Sequence, residues 1–218
     1  ANGVHYNRLE PVTPAFNQDG TYTSLSHHPL AEMDERSGYN KEDGLFVNTQ
    51  FIADWVLPWI QGLSLGTMLH YRLNSSHVKK FVARAPQYNT DGSEFIVSKP
   101  HLKEEAYFGE VYNLELNASY QKTFFEKHNI DAKAVFTVTE NTGSDFWASR
   151  RDYLSSKVDQ LFAGPSVGMQ NSGKSEEGGR MGVVGRLKYD YDNRYYIEGS
   201  FRYDGSDNFA PGYRWGFF

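Results

Sequence analysis

Cysteine is missing from all 218 residues, which excludes disulfides, thiolate metal sites and cysteine nucleophiles. No uninterrupted apolar stretch reaches the roughly 18 residues that a membrane-spanning helix needs. Residues 1–20 also show no charged start followed by an apolar run, so no leader pattern is read there. Basic residues are in deficit, with a net charge of −5, and nucleic acid is not an expected partner because its phosphates demand a basic face. Helical periodicity is scarce as well. A membrane strand survives all these exclusions, since it needs only about 9 to 11 residues with one apolar face.

What is present is alternation. From Leu45 to Val56, Leu45, Val47, Phe51, Ala53 and Trp55 oppose Asn48, Gln50 and Asp54. A link at Leu57 to Gly62 leads to Leu63, Leu65, Thr67, Leu69, Tyr71 and Leu73, set against Ser64, Gly66, Met68, His70 and Arg72. Tyr112, Leu114, Leu116, Ala118 and Tyr120 oppose Asn113, Glu115, Asn117 and Ser119. After a link at Gln121 to Asn129, Ile130, Ala132, Ala134, Phe136 and Val138 oppose Asp131, Lys133 and Thr137. The third pair alternates over Met181 to Tyr191 and Tyr195 to Tyr203, about a turn at Asp192, Asn193 and Arg194.

The intervening stretches read differently. Residues 1–43 are predicted to be loop, with a short strand near Val4 to Leu9, and the adjacent His27 and His28 read as polar surface without a third metal ligand. Asn74 to Gly109 reads as a long polar connector, although Phe81 to Arg84 and Glu94 to Ser98 are able to extend strands. Within Glu140 to Gly179, the spacing of Trp147, Leu154, Val158, Leu161 and Phe162 predicts a short amphipathic helix capped by Ser144 or Asp145. A flexible tail is expected from Gly164.

Six segments thus pair into three hairpins, with short links inside pairs and connectors of some 35 to 40 residues between them, the asymmetry of an outer-membrane barrel. Aromatics gather beside each short link: Trp55 and Trp59, then Tyr120, Phe124 and Phe125, then Tyr189, Tyr191, Tyr195 and Tyr196. They form the girdle expected at one membrane interface. The expected fold class is all-β, a piece of a larger antiparallel transmembrane β-barrel, closed because lipid tolerates no bare sheet edge. A secreted or surface glycan-binding β-sandwich, possibly hydrolytic, is the alternative, with its apolar faces covered by a second sheet.

No catalytic set emerges, and no cofactor or metal is expected. Glu104, Glu105 and Glu115, or Asp204 and Asp207, read as surface charge rather than a glycosidase pair. His70, Arg72, Asn113, Glu115, Asn117, Arg186, Glu198 and Arg202 are the lumen-facing candidates if the apolar face meets lipid. The loop aromatics Trp147, Tyr153, Phe209, Tyr213 and Trp215 are candidates for contact with substrate or a partner, or for holding their own loops.

The stretch from Gly185 to Phe218 resembles the barrel of the SusC/RagA family of TonB-dependent outer-membrane transporters of Bacteroidetes. YDYDNRYY at Tyr189, FRYDGSDNFAPG at Phe201 and RWGFF at Arg214 carry the likeness. Looser agreement follows in order upstream, in NQDGTY at Asn17, HPLAE at His28, GLSLG at Gly62, ASYQKTFFEKHN at Ala118 and SSKVDQLFAG at Ser155. The resemblance implies a barrel of about 22 strands around a plug, with residues 1–218 as one part of that domain and the plug and amino-terminal extension outside it. It also implies import of a glycan oligomer or peptide, a SusD-like lipoprotein as lid, and TonB acting through a segment this chain lacks.

Overall fold

A computed structural model of the chain describes residues 13–96 and 98–218. The expected strand near Val4 to Leu9 lies outside the described residues. Among the described residues ten strands are formed: β1 Tyr22–Thr23, β2 Gly38–Val56, β3 Leu63–Val82, β4 Gln87–Tyr88, β5 Glu94–Phe95, β6 His101–Phe124, β7 His128–Arg151, β8 Gln170–Tyr191, β9 Tyr195–Ser206 and β10 Trp215–Phe217. Seven of them make one sheet in the order β10-β9-β8-β7-β6-β3-β2, each strand beside its nearest long neighbour in sequence. The small strands form a separate sheet, β1-β4-β5.

All six alternating segments are strands, and all but the last extend well past the alternation. β3 continues through the polar stretch to Val82, β6 begins at His101, β7 reaches Arg151 and β8 begins at Gln170. The long connectors therefore shrink to residues 83–100 and 152–169. Alternation in hydrophobicity marks only the part of a strand with lipid on one side, whereas beyond it both faces accept polar residues and the pattern fades.

Two further expectations are corrected. Trp147 lies within β7 and no α-helix follows; only a 3-10 turn at Leu161–Ala163 is present. Leu154 and Phe162 are almost fully exposed, so the apolar spacing makes no common face. The supposedly flexible tail from Gly164 is largely the start of β8, and the stretch read as loop holds the one α-helix among the described residues, α1 Pro29–Met33. His28 is its N-cap and is buried, not surface: Nδ1 accepts from the Ala31 N–H at 3.1 Å, while Nε2 lies 2.8 Å from the Ala15 carbonyl.

The chain divides into two compact units. One comprises residues 45–75, 107–144 and 175–218. Its two-faced character is clearest in β8 and β9, where Gly182, Val184, Arg186, Lys188 and Asp190 pair with Asp204, Arg202, Ser200, Glu198 and Tyr196. The intervening pairs carry the apolar residues, such as Val183 with Tyr203, Gly185 with Phe201 and Tyr189 with Ile197. Leu65, Leu69, Leu116, Leu187, Ile197 and Phe201 stay exposed. No second sheet covers them among the described residues. Gly62, at φ +89, closes the β2–β3 turn where a Cβ would sit 2.0 Å from the Gln121 carbonyl oxygen.

The other unit comprises residues up to 44, 76–106 and 145–174. Here apolar side chains are covered by protein: Phe81, Ala83, Leu102 and Tyr153 form a core, with Tyr39 and Leu161 packed against it. The Phe81 and Tyr153 rings meet edge to face at 5.9 Å. Segment 152–163 is tied to the strands by the Tyr153 N–H donating to the Pro100 carbonyl at 3.1 Å and by Tyr39 donating to Asp159. Full burial of a side chain such as Leu102 stabilises by about 1.5–3 kcal/mol.

Candidate functional site

The polar face of the first unit is assembled by strand pairing rather than by any local motif. His70 on β3 sits between Asn48 on β2, at 2.5 Å, and Asn113 on β6, at 2.8 Å. Gln50, Met68, Glu115, Thr137 and Thr139 complete a hollow around this row. Next along the sheet, a side chain at Gly66 would run into Asn117 and Asp54, so these three positions share the same face. Arg186 on β8 reaches Asp131 on β7 at 3.6 Å, and Gln121 donates to the same carboxylate at 3.1 Å. Toward the turns, Asn129 donates to Asp190 at 2.7 Å, and His128 lies 2.7 Å from the Tyr189 hydroxyl.

Of the eight lumen-facing candidates, the structure brings His70, Asn113 and Glu115 together, sets Asn117 beside Gly66, and pairs Arg186 with Asp131. Arg72 is exposed on β3, Glu198 is opposite Lys188, and Arg202 bonds Asp204.

The five aromatics separate. Trp147 and Trp215 belong to strands, not loops. Trp147 carries the Lys103 ammonium 4.8 Å above its ring, and Trp215 stacks on Tyr203 at 4.8 Å. Tyr153 is buried, its hydroxyl donating to the Gln160 carbonyl at 3.0 Å, and burial raises its pKa. A side chain placed so is a core residue and not a contact surface. Phe209 and Tyr213 alone are exposed in a loop.

Of the carboxylates weighed as catalysts, Glu115 lines the hollow beside His70 and Asn113, Asp204 bonds Arg202, and the other three also have structural partners. Glu104 holds His77 and Lys79, at 3.4 and 3.6 Å, Glu105 bonds Lys103, and Asp207 accepts from the Gly179 N–H at 2.6 Å. The face offers hydrogen-bond donors, acceptors and fixed charges. That chemistry wets and binds.

One group of residues was missed by sequence reasoning. In the second unit a hollow is lined by Ser98, Lys99, His101, Ser149, Arg151 and Asp152. His101 is held below its ordinary pKa of 6.5 by desolvation first and then by the charges of Lys80, Arg151 and Arg84. The available signal was the parity of Lys80, His101 and Arg151, which continue the polar alternation of their strands beyond the apolar segments.

A single sheet that is apolar and uncovered on one face, polar and cross-bonded on the other, with tight turns between paired strands, is the wall of an antiparallel transmembrane β-barrel. No family model matches the chain. TonB-dependent receptor P3 of Formosa agariphila is 26% identical over 222 residues, covering 97% of this chain and 21% of its own length. The RagAB peptide importer in the open-open state matches with a TM-score of 0.73 at 20% identity, over 88% of this chain and 20% of that one. The closed-closed state matches with a TM-score of 0.71 at 21% identity, over 84% and 20%. The chain therefore spans about a fifth of the length of the relatives it matches. Over that length it is similar in sequence to a TonB-dependent receptor and has the fold of a length of the RagAB barrel wall, which places it in the outer membrane.

Proposed function

We propose that the receptor carrying this chain imports a nutrient oligomer, a glycan or a peptide, across the outer membrane. TonB supplies the energy, and a SusD-like surface lipoprotein closes the entrance. The relatives are a TonB-dependent receptor and a peptide importer, which supports import as the activity. In it, the six long strands are membrane strands, with Leu65, Leu116 and Phe136 toward lipid. His70, Arg72, Asn113, Glu115, Asn117, Arg186, Glu198 and Arg202 face the lumen, where they meet water, a plug or passing substrate.

The observation that carries the proposal is the unbroken polar row from Asn48 through His70 to Asn113, on the opposite side from exposed Leu65, Leu69 and Leu116. A lumen wall needs its polar groups satisfied and hydrated, and a lipid wall needs none. Deleting the receptor gene and growing the strain on panels of oligosaccharides and of peptides tests the function. Growth on one class is expected to fail while growth on its monomers persists, and a TonB deletion should give the same loss. Unchanged growth on every oligomer, with uptake intact, would refute the import reading.

A further inference from the structure

We infer that the second unit carries a binding site for an acidic oligosaccharide, whose carboxylates are held by Lys80, His101 and Arg151 beside the ring of Trp147. The inference rests on reading the polar face as lumen wall and names the substrate class for that reading.

Charge is sorted by strand alternation here. Lys79 and Glu104 sit on one face, where Lys79 lies 3.6 Å from Glu104 and 3.7 Å from Asp159, and Tyr39 adds its hydrogen bond to Asp159. That face is neutralised. The adjoining positions on the same strands, Lys80, His101, Lys103 and Arg151, belong to the other face, where cations outnumber acids. Lys103 is matched by Glu105, and Arg84 is matched by Glu32 at 2.7 Å. Among the described residues no ion pair neutralises Lys80, Lys99 or Arg151, all three exposed. Asp152 is the one acid lining the hollow with Lys99, His101 and Arg151. A concentration of uncompensated cations in a chain of net charge −5 draws an anionic ligand, and the guanidinium fork of Arg151 suits a carboxylate.

The class of oligomer follows from the neighbours of these charges. Trp147 precedes Ser149 and Arg151 by steps of two on β7, so the three share a face at roughly 7 Å per step. Lys103 lies 4.8 Å from the centre of the half-buried Trp147 indole, an aromatic surface of the kind on which the C–H face of a sugar ring stacks. Ser98 and Ser149 add hydroxyls to the lining, suited to sugar hydroxyls. An acidic peptide offers the same carboxylates without the sugar ring and its hydroxyls, and is therefore the contrast in the test.

The test is calorimetric titration of the complete receptor in detergent at low salt with tetragalacturonate, the neutral maltotetraose and tetraglutamate. Tetragalacturonate is expected to bind at least tenfold more tightly than either of the others, with affinity falling as salt is added. Lys80→Gln combined with Arg151→Gln should weaken it by roughly tenfold or more, while Lys157→Gln on an exposed loop leaves it unchanged. The single variant Lys80→Gln, at an exposed position, is expected to show part of the loss should the pair fold poorly. Equal binding of the three ligands, preference for tetraglutamate, or unchanged affinity in Lys80→Gln and the double variant would overturn the site. Such results in a receptor whose uptake still depends on TonB would leave the import reading standing. Conversely, loss of the import reading would show in the growth panels and not in this titration.

Discussion

At the scale of single residues, backbone geometry makes demands that hydrophobicity does not register. Gly62 adopts φ +89, and any Cβ there would meet the Gln121 carbonyl at 2.0 Å, while the Gln121 N–H donates to the Gly62 carbonyl at 2.8 Å. Two hairpins are thus joined at a point where only glycine fits. Gly62→Ala is expected to destabilise the folded barrel by on the order of 2 kcal/mol, through the left-handed backbone and the displaced carbonyl. Gly199→Ala serves as the contrast, because nothing lies within 4 Å of its added carbon, and it should be neutral or stabilising by about 0.5 kcal/mol. Urea unfolding in detergent, followed by tryptophan fluorescence, checks both. Neither difference is visible in the sequence, where the two glycines look alike.

At the scale of elements, the surroundings of each strand decide which parts of the fold are legible in the sequence. The segments Leu63 to Leu73 and Met181 to Tyr191 were readable because lipid on one side and water on the other impose a period of two. Residues 74–82 and 170–180 are strand as well, yet they carry no such signal because neither side there is lipid. The spacing of Trp147, Leu154 and Phe162 suggested a helix by chance. A strand end followed by a loop anchored through Tyr153 and Leu161 gives the same intervals.

That loop has a pH-sensitive fastening. The Tyr39 hydroxyl first, and Lys79 second among the favourable charges, hold the Asp159 carboxyl below its ordinary 3.8, while burial and this carboxylate push Tyr39 up to about 12. A depressed carboxylate pKa contributes stability that is complete above its unfolded value and is lost as pH falls through the folded one. Limited proteolysis at the exposed residues 154–158 should therefore be slow at pH 6 and should accelerate below about pH 4. Asp159→Asn should be cleaved faster at pH 6 and lose most of this dependence. An acid-insensitive variant that is as resistant as the parent at pH 6 would remove Asp159 from the fastening.

At the scale of the whole molecule, parity sorts side chains onto faces but does not say which of them meet. Partnerships such as Asn48 with His70 and Arg186 with Asp131 depend on strand register. The basic hollow is harder to see, because Lys99, His101 and Arg151 lie on separate segments and come together only after the strands pair.

Because the chain contains no cysteine, single cysteines introduced along β3 in the complete receptor report on that wall without interference from this segment. Nitroxide labels at positions 63 to 70, measured by electron paramagnetic resonance in lipid vesicles, test its orientation most directly. Oxygen, which partitions into lipid, should relax labels at Leu63, Leu65, Thr67 and Leu69, and a water-soluble nickel chelate should relax those at Ser64, Met68 and His70. Uniform access to the chelate, or accessibility without a period of two, would contradict a transmembrane wall with its polar face toward the lumen.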